Sequence, residues 1–275
     1  MSEIGTRLAD KVAIVTGASG GSPELWGIGE AIAILFARQG AKVLLVSRDP
    51  KKVEPVLAQI KDDGGEASFF AGDVSKNEIC QGMVAAAVES YGELDIVVNS
   101  VANAPDHTTS VVDVDEALWD SIIEVSLKSV MPTSKHAIPE MIKAGGGSIV
   151  NISSIQGVQS GFRASHSYSA AKAGMMGLSK SMAVHYGRDN IRVNCVVLGQ
   201  VHTPHAAALI SDEARQMRRR SAPIGTEGDG WGAAWASLFL ASDEARWISG
   251  VDLPVDAGLL AATPLAMFPH LKDPE

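Results

Sequence analysis

Short apolar runs rich in β-branched residues alternate along this chain with longer amphipathic segments. Such a run, ended by glycine or a polar residue, indicates a buried parallel strand, and the segments between the runs have the length and period of helices. The predicted strands are Lys11–Thr16, Lys42–Ser47, Ala67–Ala71, Leu94–Asn99, Ser148–Ser153, Arg192–Val197 and Asp252–Val255. The predicted helices are Gly29–Gln39, Pro50–Asp62, Asn77–Tyr91, Asp115–Lys143, Ser165–Gly187 and Trp231–Ala241.

This alternation predicts an α/β fold, a doubly wound parallel sheet with right-handed crossovers and helices on both faces. No change in composition marks a second domain, so we expect a single domain over residues 1–275. Two prolines, Pro132 and Pro139, are candidate breaks in the long helix 115–143. The alternation stops between about residues 202 and 225, where only a short lid helix, Ser211–Arg220, is predicted, with Ala214 and Met217 facing inward.

Composition narrows the class of protein. The chain has 46% apolar and 20% charged residues, as globular proteins do, and its net charge of -9 does not support a nucleic-acid groove. Its two cysteines, Cys80 and Cys195, are far apart and are expected to be reduced. The sequence shows neither a signal peptide nor an apolar run long enough to span a membrane, so we expect a cytoplasmic protein with no membrane partner.

Tyr168 and Lys172 are the first candidates for chemistry. They are four residues apart on a predicted helix, so their side chains share one face. A phenol has a pKa of roughly 10. An ammonium beside it favours the phenolate, so the pair can act as a general acid and base if a substrate lies near. The alternative is a buried helix tyrosine beside a lysine with no role in catalysis, and the spacing alone does not exclude it.

A glycine-rich turn, residues 16–29, joins the first predicted strand to its helix. Glycines at this point let the backbone approach a phosphate, and the helix N-terminus offers free N–H groups. The turn therefore predicts a dinucleotide site. The candidate residues in it are Gly17, Ser19, Gly27 and Ile28.

Taken together, several motifs resemble the short-chain dehydrogenase/reductase family over about residues 8–260. They are Thr16-Gly17 with Gly27-Ile28-Gly29, Asp73-Val74, Asn99, Ser154, Tyr168 and Lys172. The resemblance implies a Rossmann-type domain that binds NAD(H) or NADP(H) and transfers hydride to or from a carbonyl or alcohol carbon of a small molecule. It also implies a homotetramer, with two-fold contacts through the last helix and strand.

The resemblance assigns roles to single positions. Ser154 would be the catalytic serine, with Ser153 as the local, structural alternative. Lys172 would also hold the nicotinamide ribose beside Tyr168. The remaining assignments are Asp73 and Val74 to the adenine, Asn99 to the adjoining ribose, Val201 to the carboxamide through its backbone, and Thr203 to the diphosphate and carboxamide end.

Four departures from the family pattern stand out. The glycine turn is about six residues longer than usual, and its end, Leu25-Trp26-Gly27-Ile28, is similar to the turn of enoyl-thioester reductases. The run Asn99-Ser100-Val101-Ala102 replaces the usual Asn-Asn-Ala-Gly, and Leu198-Gly199 replaces Pro-Gly. Ser126 stands where the family commonly has an asparagine that supports a proton path to the lysine. Serine is shorter but still hydrogen-bonds.

The cofactor choice depends on the end of the second strand. An acidic residue there binds the ribose 2′-OH of NAD, whereas this chain has Ser47 and Arg48. A hydroxyl and a guanidinium suit a phosphate, which favours NADP(H). Arg48 as a solvated arginine paired with Asp49 is the alternative, and it leaves NAD(H) open.

The segment 202–225 is expected to cover the active site and to recognise the substrate. The run Arg218-Arg219-Arg220 either meets an acidic substrate or is simply solvated. His202 and His205 lack the acidic or cysteine company of a metal site, so no metal is predicted. The pocket-lining positions inferred from the pattern are Ala102, Pro105, Gln156, Val158, Phe162 and Leu198, which favour a hydrophobic or alicyclic compound. The C-terminal extension, about 263–275, is expected to pack on a neighbouring subunit or to fray.

Three functions compete at this point. The first is a carbonyl reductase or secondary-alcohol dehydrogenase. The second is an enoyl reductase. The long glycine turn favours it, whereas the spacing of Tyr168 and Lys172 argues against it. The third is a dinucleotide-binding module without catalysis, suggested by Ser126 and the altered motif after Asn99.

Overall fold

Seven parallel strands form one sheet in the order β3-β2-β1-β4-β5-β6-β7. The computed structural model describes residues 5–103, 111–161 and 165–271. The strands are β1 (Val12–Thr16), β2 (Lys42–Ser47), β3 (Glu66–Ala71), β4 (Ile96–Asn99), β5 (Gly147–Ser154), β6 (Ile191–Leu198) and β7 (Asp252–Val255). The predicted doubly wound sheet is confirmed.

Ten α-helices belong to the described residues. They are α1 (Ile28–Arg38), α2 (Glu54–Asp62), α3 (Asn77–Tyr91), α4 (Glu116–Ile123), α5 (Val130–Lys143), α6 (His166–Tyr186), α7 (Pro204–Leu209), α8 (Asp212–Ser221), α9 (Gly230–Ala241) and α10 (Pro264–Leu271). None of the helices in this part of the chain is both long and apolar enough to cross a bilayer.

The helices divide between the two faces of the sheet because the strand residues alternate between two cores. In β1, Ala13 and Val15 pack with α1, α2 and α9, whereas Val12 and Ile14 pack with α3, α5 and α6. Every residue of β1 is buried, which explains its continuous apolar run. The chain therefore covers both faces of a central strand.

The strand order reverses at β1, which is paired with β2 on one side and β4 on the other. Crossovers leave this point in opposite directions, so a crevice opens at the carboxyl ends of β1 and β4. The fold thus favours a ligand site at the carboxyl ends of these strands, where the glycine turn begins.

The predicted breaks at Pro132 and Pro139 are wrong. Both prolines lie within α5, and the long helix is interrupted earlier, by a π-helical turn over Glu124–Lys128 in which the Ser129 N–H donates to the Glu124 carbonyl (3.0 Å). Pro132 is in the first turn of α5, where its missing N–H is not needed. Pro139 is exposed, so the carbonyl that it leaves unpaired faces solvent.

The region 202–225 is more regular than predicted. Thr203 caps α7, and Ser211 caps α8, the predicted lid helix, by accepting from the Ala214 N–H (3.3 Å). Ala214 is partly buried as predicted, but Met217 is 45% exposed, so its inward placement is wrong. Arg218 takes the inward position instead, because its charge has a buried partner.

The C-terminal segment forms α10, which packs against α8 of the same chain and buries Met267. Fraying, one of the two alternatives expected for this tail, does not describe residues 264–271, whereas packing on a neighbouring subunit stays a prediction. The last four residues lie outside the described part of the chain.

Candidate active site

Ser154, Tyr168 and Lys172 meet at the carboxyl end of β5. Ser154 is the last residue of β5, and its hydroxyl accepts from the Gln156 N–H (3.2 Å), which starts the turn toward α6. Tyr168 and Lys172 lie one turn apart on α6, with the Lys172 ammonium 5.6 Å from the centre of the Tyr168 ring. Tyr168 also hydrogen-bonds the Ser154 hydroxyl.

Burial sets the protonation of this trio. Lys172 is 2% exposed and donates to the Ile152 carbonyl (2.7 Å), and desolvation lowers its pKa to about 8. Burial raises the pKa of Tyr168, partly offset by the hydrogen bond with Ser154. The lowering of the phenol pKa expected from the sequence is therefore reversed, because desolvation of the phenolate outweighs any neighbouring charge.

Ser153 has a structural role. Its hydroxyl is buried and donates to the Lys172 carbonyl (3.0 Å), which fastens β5 to α6. The alternation of a strand sends neighbouring side chains to opposite faces, and the Ser153 hydroxyl is engaged with α6. Of the pair, Ser154 lies beside Tyr168.

A cavity of about 320 Å³ opens over these residues. Its lining includes six of the predicted site residues: Ile28, Ser154, Tyr168, Lys172, Val201 and Thr203. Further lining residues are Ser100, Ala102, Ile152, Ser153, Gln156, Ser165, Leu198, Gly199, His205, Ala206, Leu209, Ile210 and Arg218.

Three of the pattern-based pocket positions, Ala102, Gln156 and Leu198, lie in this lining. Val158 does not, and it is 55% exposed, so that prediction is wrong because the turn after β5 carries it outward. Pro105 and Phe162 lie outside the described residues.

The glycine turn leaves β1 in a conformation that needs glycine. Gly17 has φ +75°, and a Cβ there would lie 3.0 Å from the Ser100 carbonyl oxygen. A Cβ on Gly29 would lie 2.5 Å from the carbonyl oxygen of Gly17. The Thr16 hydroxyl ties this turn to β4 by accepting from the Ser100 N–H (3.1 Å). The backbone thus packs tightly before α1, as a dinucleotide cradle requires.

The inserted part of the turn, residues 20–26, is held by a residue that the sequence reasoning missed. Glu30 is fully buried, and its two carboxylate oxygens accept from the N–H groups of Gly21 and Gly27 (both 2.6 Å). Burial raises the pKa of Glu30. Trp26, at the end of the insertion, is buried in the core. A glutamate three residues after the N-cap position of α1 is a capping-box signal that could have identified Glu30.

The end of β2 lies beside the glycine turn. The Ser47 hydroxyl donates to the Ser19 hydroxyl (2.7 Å). Arg48 is exposed and forms no ion pair with the described residues, while Asp49 instead caps the next turn by accepting from the Lys51 N–H (3.0 Å). The pairing of Arg48 with Asp49 considered from the sequence is therefore absent. The Gly20 N–H donates to the Lys52 carbonyl (3.3 Å), which brings that segment to the turn.

The remaining predicted cofactor residues line the same edge of the sheet. Asp73 follows β3 and accepts from the Ser75 N–H (3.0 Å), and Val74 is buried. Asn99, the last residue of β4, donates from its amide to Asn151 (2.8 Å). These residues lie outside the cavity lining, as do Gly17, Ser19, Gly27, Ser47 and Arg48.

Ser126 lies in the π-helical turn and is fully buried. Its hydroxyl accepts from the Asn103 N–H (2.9 Å) and donates to the Asn103 carbonyl (3.2 Å). It therefore fixes the chain that leaves β4. Among the described residues, Ser126 forms no hydrogen bond with Lys172 and does not line the cavity.

The segment after β6 closes the cavity from the other side. A parallel bridge pairs Val201 with Gly228 through the His202 N–H and the Gln200 carbonyl, so the bridge does not use the Val201 N–H. The Thr203 hydroxyl accepts from the Ala206 N–H (3.2 Å) and caps α7.

Arg218 connects this segment to α8. Its guanidinium donates to the Val201 carbonyl (3.1 Å) and lies 3.2 Å from the carboxylate of Glu227, which is 4% exposed. Of the two readings of the run 218–220, simple solvation is wrong for Arg218. Sequence reasoning missed Glu227, for which no pattern gave a signal, because the contact joins α8 to the irregular segment that follows it.

The comparisons with known proteins agree on one family. The family model described as "Enoyl-(Acyl carrier protein) reductase" matches residues 21–260. A 2,5-dichloro-2,5-cyclohexadiene-1,4-diol dehydrogenase from Sphingobium indicum is 36% identical over 252 residues, which cover 92% of this chain and 97% of that protein. A 3-oxoacyl-[acyl-carrier-protein] reductase from Chlamydia muridarum is 37% identical over 253 residues, 92% of this chain and 98% of that protein.

Solved structures give the same result. A putative short-chain dehydrogenase/reductase from Burkholderia xenovorans superposes with a TM-score of 0.88 at 39% identity, over 94% of this chain and 99% of that one. Carveol dehydrogenase from Mycobacterium avium, in complex with NAD, superposes with a TM-score of 0.84 at 28% identity, over 94% and 100% of the two chains.

Proposed function

Because this chain belongs to the short-chain dehydrogenase/reductase family and is an NAD(P)-dependent oxidoreductase acting on alcohol and carbonyl groups, we propose that it interconverts a ketone and a secondary alcohol with NADP(H), through Tyr168 as general acid and base. One observation carries the proposal. Ser154, Tyr168 and Lys172 share one cavity, whose lining also includes Ile28 at the start of α1.

The chemistry follows from the three side chains. The Ser154 hydroxyl holds the substrate oxygen and stabilises charge that develops on it. Tyr168 gives a proton to that oxygen in reduction and takes it back in oxidation. Its raised pKa keeps the phenol protonated at neutral pH, ready to donate. Lys172, with a pKa of about 8, is mostly charged at that pH and stabilises the phenolate that remains. The nicotinamide, when bound, supplies or accepts the hydride.

The residues fit a dinucleotide. The cradle of Gly17, Ser19, Gly27 and Ile28 at the start of α1 suits a diphosphate. We assign the adenine to Asp73 and Val74, the ribose next to it to Asn99, and the nicotinamide end to Lys172, Thr203 and the N–H of Val201. Ser126 would support the site indirectly, by fixing the segment after β4.

The preference for NADP(H) rests on the end of β2. Two hydroxyls, Ser19 and Ser47, lie together there, and the exposed guanidinium of Arg48 is not engaged by an ion pair within the described residues. A ribose 2′-phosphate would find two hydroxyl donors and a bidentate cation at this point. The relative that was solved with NAD keeps NAD(H) as the alternative.

We propose a hydrophobic, alicyclic substrate that enters beneath α7 and α8. Ile152, Leu198, Leu209 and Ile210 give the cavity apolar walls around the catalytic hydroxyls. The names of two relatives, a cyclohexadiene-diol dehydrogenase and carveol dehydrogenase, support a cyclic alcohol. Action in the cytoplasm and assembly as a homotetramer remain predictions.

The test is a fluorescence titration of wild type and Tyr168→Phe with NADPH and NADH, followed by turnover of cyclic ketones. We expect NADPH to bind at least about tenfold more tightly than NADH. Tyr168→Phe should bind NADPH within about threefold of wild type but lose about a hundredfold or more in kcat, the contribution of a general acid. Tyr186→Phe, at the far end of the same helix, is the matched control.

The outcomes separate the parts of the proposal. Arg48→Asp should reverse the cofactor preference, since a carboxylate repels the 2′-phosphate. A wild-type preference for NADH would overturn the NADP(H) assignment alone. Full activity of Tyr168→Phe would overturn the catalytic assignment. Binding of neither cofactor would overturn the whole proposal.

Reduction of an enoyl thioester is the second candidate, favoured by the extended glycine turn and by the description of the matching family model. The one-turn spacing of Tyr168 and Lys172 and the presence of Ser154 beside them favour carbonyl chemistry instead. Turnover of crotonyl thioesters with no turnover of ketones would decide for the enoyl reductase.

A further inference from the structure

A cluster of charged side chains lies where α8 meets the cavity, away from the catalytic trio. We call Arg215, Arg218, Arg219 and Glu227 the α8 cluster. The three guanidinium groups approach the Glu227 carboxylate to 3.0, 3.2 and 3.6 Å, respectively. Three positive charges therefore surround one buried negative charge.

The surplus positive charge is not compensated from the cavity side. None of the described residues in the cavity lining is an aspartate or a glutamate. His202, which faces the same arginines, adds no further positive charge at neutral pH, because burial, followed by the field of Arg215, lowers its pKa. Asp212 and Glu213 are exposed in the first turn of α8 and face solvent.

Arg218 is the member of the α8 cluster that lines the cavity. Its side chain is 17% exposed, and the Val201 carbonyl is the single acceptor that its guanidinium reaches with hydrogen-bond geometry among the described residues. Its Nη1 is buried and lies 3.2 Å from Glu227 Oε1, an ion pair without hydrogen-bond geometry. Gln156 Oε1, in the cavity lining, is buried without a hydrogen bond.

A guanidinium carries five N–H donors, and the Val201 carbonyl and the ion pair with Glu227 do not use all of them. The acceptor that suits its planar fork is a carboxylate or another oxyanion, held with two parallel bonds. The low dielectric of the cavity strengthens such a contact. The alcohol or ketone carbon would then lie toward Ser154 and Tyr168, with the anionic end toward α8.

We propose that Arg218 reads an anionic group, a carboxylate by preference, on the substrate, so that the enzyme acts on cyclic hydroxy or keto acids. The proposal rests on the proposed function of the same cavity. It assigns to Arg218 the choice between charged and neutral substrates, while Ser154 and Tyr168 serve the reacting oxygen.

A second source of anionic oxygen is the cofactor diphosphate, which the glycine turn also serves. The position of Arg218 among Leu209, Ile210 and Ala206, on the α7 and α8 side of the cavity, favours the substrate. The experiment keeps the two sources apart by measuring cofactor affinity in the same variants.

The test is a calorimetric titration with cyclohexanecarboxylate and cyclohexanecarboxamide, which differ in charge but little in shape. Each titration is run with and without NADPH, so that it can be read even if the proposed function fails. We expect wild type to bind the carboxylate at least about tenfold more tightly, and Arg218→Gln to remove this difference, since hydrogen bonds to charged groups are the strong ones. Arg218→Lys should keep part of it.

Arg219→Gln is the matched control, because it removes the same charge from the same helix and the same carboxylate, but Arg219 does not line the cavity. Equal losses in the two variants would overturn direct contact by Arg218. A wild-type protein that binds the carboxylate no better than the carboxamide would overturn the proposal. Loss of NADPH affinity in Arg218→Gln, with carboxylate binding unchanged, would assign the arginine to the diphosphate instead.

A kinetic comparison completes the test. Arg218→Gln should lower kcat/KM for 4-oxocyclohexanecarboxylate by about ten- to a hundredfold and change that for its methyl ester by less than about threefold. Retained turnover of the ester shows that the variant folds. An equal loss for both compounds would contradict a role for Arg218 in reading charge.

Discussion

The ammonium group of Lys172 lies in a desolvated site, which disfavours its charged form. Its ammonium is almost fully buried and has one hydrogen-bond acceptor among the described residues, the Ile152 carbonyl. Desolvation lowers its pKa from 10.5 to about 8. In the proposed mechanism this lysine stabilises a phenolate, whereas its burial destabilises the folded protein, so its expected contributions to activity and to stability have opposite signs.

This opposition gives a pH-dependent prediction for Lys172→Met. Below the folded-state pKa of about 8, Lys172 is charged in both the folded and the unfolded protein. The charged form is less favourable in the folded protein, which lowers the free energy of unfolding by about 3 kcal/mol. The cost declines as the pH rises from about 8 and vanishes above the unfolded value of 10.5. Wild type should therefore gain stability relative to Lys172→Met across that window, although the variant is inactive.

Urea unfolding at a series of pH values from neutral to alkaline measures this difference. Other titrating groups are common to both proteins and cancel in the comparison. A difference that stays constant with pH would contradict a depressed pKa for Lys172. Lys180→Met is a suitable control, because Lys180 is exposed and its pKa is raised by Asp252.

Residue-level predictions succeeded where sequence spacing determines geometry. The interval of four between Tyr168 and Lys172 is one helical turn, so their proximity follows from the sequence once the helix is recognised. The direction of the Tyr168 pKa does not follow, because it depends on how deeply β5 and the segment after β6 bury the ring. The partnership of Arg218 with Glu227 does not follow from the sequence either, since it depends on how the segment after α8 folds back onto that helix.

At the scale of elements, the extended glycine turn depends on the first turn of α1. Glu30 accepts from the N–H groups at both ends of the insertion, Gly21 and Gly27, while Glu24 within it contacts only the Ser22 hydroxyl among the described residues. One buried carboxylate thus fixes a loop of several residues at the proposed diphosphate site.

Glu30→Ala should therefore loosen the turn. It leaves two partly buried backbone donors without their acceptor, which should lower the free energy of unfolding by about 2 kcal/mol. It should also weaken NADPH binding by about tenfold or more while leaving kcat at saturating cofactor within about threefold. Thermal unfolding and fluorescence titration check the two effects.

Glu24→Ala is the matched control, a carboxylate removed from the same turn but from an exposed position. It should change neither measurement. Equal effects of the two substitutions would show that charge in the turn, rather than the hydrogen bonds of Glu30, sets cofactor affinity.

Elements with a clear apolar period were predicted to within a residue or two, as β2, α3 and β7 show. The errors fall where local rules conflict. Pro132 and Pro139 are helix breakers by propensity, but one lies in a first turn and the other faces solvent, while the π-helical turn follows from the packing around Ser126. Helices α7 and α10 are short. The Thr203 cap stabilises α7 and packing against α8 stabilises α10, and neither interaction produces a hydrophobic period in the sequence.

At the scale of the whole molecule, the sheet ends at β7, and two tryptophan side chains near that edge are exposed. Trp235 on α9 is 52% exposed, and Trp247, just before β7, is 97% exposed. Exposed aromatic side chains at a sheet edge mark an interaction surface. They lie at the last strand and the helix before it, where the sequence predicts the two-fold contacts of a homotetramer.

We therefore predict that Trp235→Glu converts a tetramer into dimers. Each indole can bury roughly 200 Å². At about 25 cal/mol per Å², the two copies across a two-fold axis contribute several kcal/mol, and the substitution replaces this with a pair of like charges. Sedimentation velocity measures the assembly. Ala58→Glu, an exposed position on α2 at the opposite edge of the sheet, is the control and should stay tetrameric. A monomeric wild type, or a tetrameric Trp235→Glu, would contradict the interface. Because neither Trp235 nor Trp247 lines the cavity, dimers of Trp235→Glu should keep their carboxylate binding and turnover, which separates assembly from the chemistry of the cavity.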